Sequence, residues 1–109
     1  MSNPFLEPTR VYMYTLRPRR LEIMTDGPTA EEAAVVGRHW QHLLGLKESG
    51  KLIFAGRTLL TTADSFASVV FHADTNEEAE ALMNADPAVV EGVMDSRLYP
   101  YQALLSTAI

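Results

Sequence analysis

Cysteine is missing from this chain of 109 residues. Without thiol groups the chain has no disulfide framework, no cysteine-ligated zinc site and no cysteine nucleophile. Basic residues are also few: 9 Lys and Arg stand against 14 Asp and Glu, for a net charge of −5. Because such a chain lacks the positive field that attracts a phosphate backbone, we expect no nucleic-acid partner.

Long apolar runs are absent as well. No uncharged stretch approaches the ~20 residues of a membrane span. The first ten residues contain Pro4, Glu7 and Pro8 and lack the apolar segment of a signal peptide. We therefore expect a cytoplasmic protein with no membrane partner. The sequence also lacks the phosphate-binding, dinucleotide-binding, serine-hydrolase and HExxH motifs, so we expect no cofactor.

The apolar content, 47% of the residues, is sufficient for one folded domain of this length. Thr29–Glu32 is a capping box that opens a helix with a clear 3.6-residue period, and Gly50 is its natural end. A second capping box, Thr75–Glu78, opens another helix that stops before Pro87. Strands are predicted at 10–17, 51–60, 66–73 and 93–105, and helices at 29–49 and 75–85, with a helical turn at 86–92.

The predicted order is therefore βαββαβ, which is typical of the ferredoxin-like split βαβ fold. This α+β fold has a four-stranded antiparallel sheet with two helices on one face. The other face carries apolar residues too, because Val11 and Met13 alternate with Tyr12 and Tyr14 along the first strand. Since this chain has no third helix to cover that face, we expect a homodimer through the sheet. A modest apolar patch on a monomer is the alternative.

His39 lies in the middle of the apolar arc of the first helix, where an imidazole needs a hydrogen-bond partner. It is either a satisfied core histidine or a functional group. Asp86 is likewise either the cap of the turn that starts at Pro87 or a carboxylate that orients His39. His42, at the edge of the same helical face, is expected to be solvated. His39 and His42 have the spacing of a shared metal site, but no acidic partner follows from the spacing, and we expect no metal.

Further candidates lie in the second and last strands. Gly56 within a strand suggests a β-bulge or a close backbone approach, and Arg57 either binds an anionic substrate or projects into solvent. Tyr99, close to Pro100, lines either a cleft or an interface. Trp40 is expected to pack rather than to carry a substrate, and the basic cluster around Arg19 is expected to be a solvated turn.

Several segments together resemble the YciI-like (YCII-related) domain family. These segments are Val36-Gly-Arg-His-Trp-Gln-His-Leu-Leu-Gly-Leu, Gly50-Lys-Leu-Ile-Phe-Ala-Gly56, Ala85-Asp-Pro-Ala-Val-Val-Glu-Gly92 and Tyr99-Pro-Tyr. The resemblance covers roughly residues 10–105 of a single domain spanning 1–109, in which residues 1–9 form an N-terminal arm. Residues 17–28 form a longer insertion than in the shortest family members.

The resemblance implies a ferredoxin-like domain that dimerises through its sheets into an α+β barrel. It also implies that His39 and Asp86 form the catalytic pair in a cleft, with His42 where a second histidine is often seen. Arg57 stands where the family usually has proline, which implies a different pocket.

We therefore expect a small enzyme that uses His39 and Asp86 for acid–base chemistry on a small organic substrate, as a lyase, dehalogenase or isomerase. Gly56, Arg57, His42 and Tyr99 are its expected substrate-binding residues. The alternatives are a non-catalytic ligand-binding or regulatory homodimer, and a domain in which the His39–Asp86 contact only stabilises the fold.

Overall fold

A computed structural model of the chain describes residues 9–105. Apart from Thr9, the predicted N-terminal arm lies outside the described residues. The strands are β1 (Val11–Pro18), β2 (Leu52–Arg57), β3 (Ala67–His72) and β4 (Met94–Tyr101), and the helices are α1 (Glu22–Thr25), α2 (Ala30–Glu48), α3 (Asn76–Asn84) and α4 (Pro87–Val90).

The four strands form one antiparallel sheet in the order β2-β3-β1-β4. This confirms the predicted ferredoxin-like α+β fold. β1 lies between β3 and β4, so its residues pair on both sides: Tyr14 is opposite Val69 in β3 and Leu98 in β4. Neither alternative predicted for Gly56 is found: Gly56 pairs regularly with Ser68, so there is no bulge, and no atom of the described residues outside its chain neighbours lies within 4 Å of the position a Cβ would take, so there is no close backbone approach. The irregularity instead falls between Leu52 and Phe54.

The long helix α2 has the boundaries that its local signals predict. The Thr29 side chain accepts a hydrogen bond from the Glu32 backbone, and the Glu32 carboxylate accepts one from the Thr29 backbone. Gly50 follows the helix with a φ of 76°, a conformation that glycine adopts without strain. The second box is only half formed, since the Glu78 side chain accepts from the Asp74 backbone instead of the Thr75 backbone.

The core lies between the helices and one face of the sheet. Alternate residues of β1, namely Tyr12, Tyr14 and Leu16, are buried on this face, because successive side chains of a strand point to opposite sides. They pack with residues of the other strands and helices, including Leu43, Leu46, Val69, Phe71, Ala79 and Met83. Burying these large side chains provides most of the free energy that stabilises the fold.

Three elements differ from the predicted boundaries. The short helix α1 forms inside the segment 17–28, where only a turn was predicted. β2 ends at Arg57, and residues 58–66 make a longer connection to β3 than predicted. Pro100 does not interrupt β4, because β4 is an edge strand and a missing N–H on the open side costs no ladder hydrogen bond. Within residues 9–105, no helix combines the length and the apolar character that crossing a membrane requires.

Candidate active site

His39 and Asp86 meet where α2 packs against α4. The Nδ1 atom of His39 lies 2.8 Å from both carboxylate oxygens of Asp86. Asp86 has the extended backbone of a helix N-cap, and its Oδ1 atom accepts a hydrogen bond of 3.0 Å from the Ala88 backbone. An ion pair between Arg38 on α2 and Glu91 joins the same two helices beside the site. The capping role and the histidine contact, considered above as alternatives, are therefore made by one carboxylate.

The Asp86 side chain is completely buried, with 0% of its surface exposed. Burial alone raises the pKa of a carboxyl, because it disfavours the charged form. Here the hydrogen bonds from His39 and then from Tyr14 outweigh burial and hold the pKa of Asp86 below its ordinary value. Asp86 is therefore a carboxylate at neutral pH.

The ionised carboxylate determines which nitrogen of His39 carries a proton. A carboxylate only accepts hydrogen bonds, so the Nδ1 atom that it contacts must be protonated. In the neutral ring this leaves Nε2 as the basic nitrogen. Asp86 thus holds His39 in the tautomer and orientation in which Nε2 is free to exchange a proton.

Tyr14 is a third member of this group that the sequence interpretation did not include. Its hydroxyl donates a hydrogen bond of 2.7 Å to Oδ2 of Asp86, and its side chain is 0% exposed. Burial, together with the nearby negative charge of Asp86, raises the pKa of Tyr14 well above its ordinary value, so Tyr14 stays a neutral donor. One signal in the sequence pointed to it: a hydroxyl on the core-facing side of β1 needs a buried partner.

The imidazole of His39 is 17% exposed and lines a cavity of about 510 Å³ between α2, the β2–β3 side of the sheet and α1. The volume lies within the range of small-molecule sites. The lining is mainly apolar and includes Leu16, Ile23, Met24, Val36, Trp40, Leu43, Phe66, Val69 and Met94, with Gly56, Arg57, Thr58, Ser65 and Ser68 on the strand side.

The insertion 17–28 forms one wall of this cavity. Ile23 and Met24 of α1 face it, and two ion pairs fix the segment on either side. Arg19 binds Asp95 in β4, and Arg20 binds Glu32 in α2. Both arginines are exposed, as the predicted solvated turn requires, and each also forms an ion pair with a neighbouring element.

The predicted site residues divide into two groups. His39, Gly56 and Arg57 line the cavity, and Asp86 lies directly behind His39. His42 does not line it, and the buried Nε2 atom of His42 has no hydrogen-bond partner among residues 9–105.

Tyr99 also lies away from the cavity. It is opposite Met13, on the sheet face that carries no helices. Trp40 was expected to pack but is 58% exposed at the cavity. Within the described part of the chain, no three His, Asp or Glu side chains are grouped as a metal site requires.

Comparisons with known proteins identify a domain family and a solved structure of similar fold. The YCII-related domain matches residues 13–100. No curated protein matches the chain. Among solved structures, the chain is similar to 5-chloro-2-hydroxyhydroquinone dehydrochlorinase from Burkholderia phenoliruptrix AC1100, in complex with 2,5-dihydroxybenzoquinone. The two share 16% identity and a TM-score of 0.59, over 84% of this chain and 93% of that one. This degree of similarity shows a common fold.

Proposed function

The chain belongs to the YCII-related domain family, and from that premise we propose that it is an enzyme in which His39 is the general acid–base and Asp86 orients it. The observation that carries the proposal is the contact of 2.8 Å between His39 Nδ1 and a fully buried carboxylate, at the edge of a cavity large enough for a small organic molecule. A histidine held by a carboxylate and facing a cavity is the arrangement that proton transfer to a bound molecule requires.

The proposed roles follow from the hydrogen bonds. Nε2 of His39 takes a proton from the substrate, and the imidazolium that forms is stabilised by the negative charge of Asp86. Tyr14 and the Ala88 backbone hold Asp86 in place, so the carboxylate does not rotate away when the charge on the ring changes. Because the carboxylate is buried, this attraction is screened less than it would be at the surface.

The reaction class that suits these groups is a proton abstraction followed by elimination or isomerisation. In an elimination, His39 accepts the proton and the leaving group departs with the bonding electron pair, so no redox partner is needed. The similar structure, a dehydrochlorinase, supports this class. It also supports halogenated aromatic compounds as the first substrates to be tried.

The test is a panel of chlorinated and hydroxylated aromatic compounds, including 5-chloro-2-hydroxyhydroquinone, that is followed by chloride release and by proton NMR of the products. We expect turnover of at least one compound by the unchanged protein, and its loss in His39→Asn and Asp86→Asn. Turnover that survives both substitutions would remove the proposed roles. A panel without turnover, in a protein that binds the same compounds, would favour the ligand-binding alternative.

We also propose that the functional unit is a homodimer formed through the open face of the sheet. This face carries partly exposed apolar side chains of three strands, Met13 of β1, Phe54 of β2 and Tyr99 of β4, around the buried Val70 of β3. Phe54 is 49% exposed and Tyr99 is 37% exposed. A second copy would remove this apolar surface from water.

Light scattering at micromolar concentration is expected to give twice the chain mass of 12.1 kDa. Phe54→Glu places a charge on the proposed interface at an exposed position, so it should shift the mass towards the monomer without unfolding the chain. Val90→Glu, on the helical side and 64% exposed, is the matched control and should remain dimeric. A monomeric unchanged protein would overturn the proposal.

A further inference from the structure

The cavity contains one positive charge that no described carboxylate neutralises. Among its lining residues only His39 and Arg57 carry ionisable side chains, and His39 is already paired with Asp86. Within residues 9–105, Arg57 forms no ion pair and donates no side-chain hydrogen bond. Since this chain has an excess of acidic residues, an arginine without an acidic partner at a cavity is the exception that needs an explanation.

The position of Arg57 in the sheet directs it to the cavity. It is the last residue of β2 and pairs with Ala67, which packs against the core on the helical side of the sheet. Neighbouring strand residues in register share a face, so Arg57 lies on the side of α2 and of His39. A guanidinium there offers a planar pair of N–H donors, the geometry that matches a carboxylate.

The rest of the lining is suited to an apolar body. Leu16, Val36, Trp40 and Met94 are among the apolar residues that line the cavity. Polar lining residues are few and lie on the strand side, so a strongly polar molecule would lose more hydrogen bonds to water than it gained here.

We propose that the cavity binds a small apolar carboxylic acid as its anion, with the carboxylate on Arg57 and the apolar body against Trp40 and Leu16. This inference rests on the proposed function, because it assigns the substrate class of the same site. It adds that the substrate carries a negative charge, and that Arg57 selects for this charge. The carboxylate is placed by Arg57 from the strand side, and the reacting carbon is presented to His39 from the helix side.

Trp40 allows the proposal to be tested without a known substrate. It is the only tryptophan of the chain and lines the cavity, so its fluorescence reports occupancy. The probes are phenylacetate, its neutral analogue phenylacetamide, and acetate, which has the charge without the apolar body. At constant ionic strength we expect phenylacetate to bind about tenfold more tightly than phenylacetamide, which corresponds to about 1.4 kcal/mol for one charge-assisted hydrogen-bonded pair. Acetate keeps this pair but loses the apolar contacts, so it should also bind more weakly than phenylacetate.

Arg57→Gln is expected to remove the tenfold preference for phenylacetate and to leave phenylacetamide binding unchanged. Arg10→Gln makes the same change of charge just before β1, outside the lining of the cavity, and should leave both affinities within about twofold. Equal binding of phenylacetate and phenylacetamide by the unchanged protein would overturn the proposal. The proposal would also be overturned if Arg57→Gln and Arg10→Gln lowered the affinity for phenylacetate equally, or if no saturable change of Trp40 fluorescence were observed.

His39→Asn separates this proposal from the catalytic one. The variant should keep the preference for phenylacetate, because the anion is held by Arg57, although it loses turnover. If the preference is present and neither the substrate panel nor chlorinated aromatic carboxylic acids react, the substrate class stands and the acid–base role fails. If compounds react and the neutral analogue binds as tightly as the anion, the acid–base role stands and the substrate class fails.

Discussion

His39→Asn is expected to lower kcat/KM on the reacting member of the substrate panel by about two to four orders of magnitude, the range in which a positioned general acid–base acts. Asparagine keeps a polar group of similar size that can donate to Asp86, so the carboxylate retains a partner. It has no nitrogen that takes up a proton near neutral pH, and the catalytic step loses its base. The measurement is initial-rate kinetics with purified protein.

The matched control for this variant is His72→Asn. His72 lies at the end of β3, exposed and outside the lining of the cavity, and the substitution is chemically the same. Its rate should equal that of the unchanged protein. If His72→Asn loses as much activity as His39→Asn, or if His39→Asn loses less than about tenfold, His39 is not the acid–base group. Phenylacetate binding by Trp40 fluorescence shows whether the variant still has an intact site.

Asp86→Ala is expected to lower the free energy of unfolding by about 2–4 kcal/mol at pH 7, since it removes three interactions at once. The buried hydroxyl of Tyr14 loses its acceptor, α4 loses its N-cap, and His39 loses its partner. Each unsatisfied buried group costs ~1–3 kcal/mol, and a lost cap costs ~1 kcal/mol. Urea denaturation followed by far-UV circular dichroism measures this difference.

Asp86→Asn is the control that isolates the charge, because asparagine has the same shape and keeps an acceptor for the Ala88 backbone. The pKa of Asp86 is lower in the folded chain than its ordinary value of 3.8. Its charge therefore contributes stability above that value, and the contribution is lost as the pH falls through the folded pKa. The stability difference between the unchanged protein and Asp86→Asn should be full above about pH 5 and shrink at lower pH. A difference independent of pH would show that the charge of Asp86 stabilises nothing.

Much of the fold is predicted from signals that act over a few residues. The capping box at Thr29, the end at Gly50 and the cap at Asp86 each depend on neighbours within one helical turn, and the structure contains all three. The boundaries that were wrong depend on distant pairing. β2 ends at Arg57 because β3 begins its ladder at Ala67, and Pro100 is tolerated because β4 has no strand on its outer side.

In the site, too, the residues predicted correctly are those with local signals, and the residues missed depend on distant contacts. His39 and Asp86 were found in the sequence because a polar group on an apolar helical face, and a carboxylate before proline, are each unusual enough to be noticed. Tyr14 was not included because its partner is 72 residues away, and no local pattern reports that distance. Trp40 was expected to pack, since a position at the margin of the helical arc does not reveal that α1 and the β2–β3 connection leave an open cavity beside it.

By itself, the sequence determined the βαββαβ order of the elements, the starts and ends of the long helices, and a chemistry without thiol groups. These properties come from composition, from periodicity and from hydrogen bonds between near neighbours. Only the tertiary structure decided that Tyr14, His39 and Asp86 form one buried hydrogen-bonded group, and that Arg57 faces the same cavity. The physical reason is that these residues come from four separate elements, which the packing of the helices on the sheet brings together.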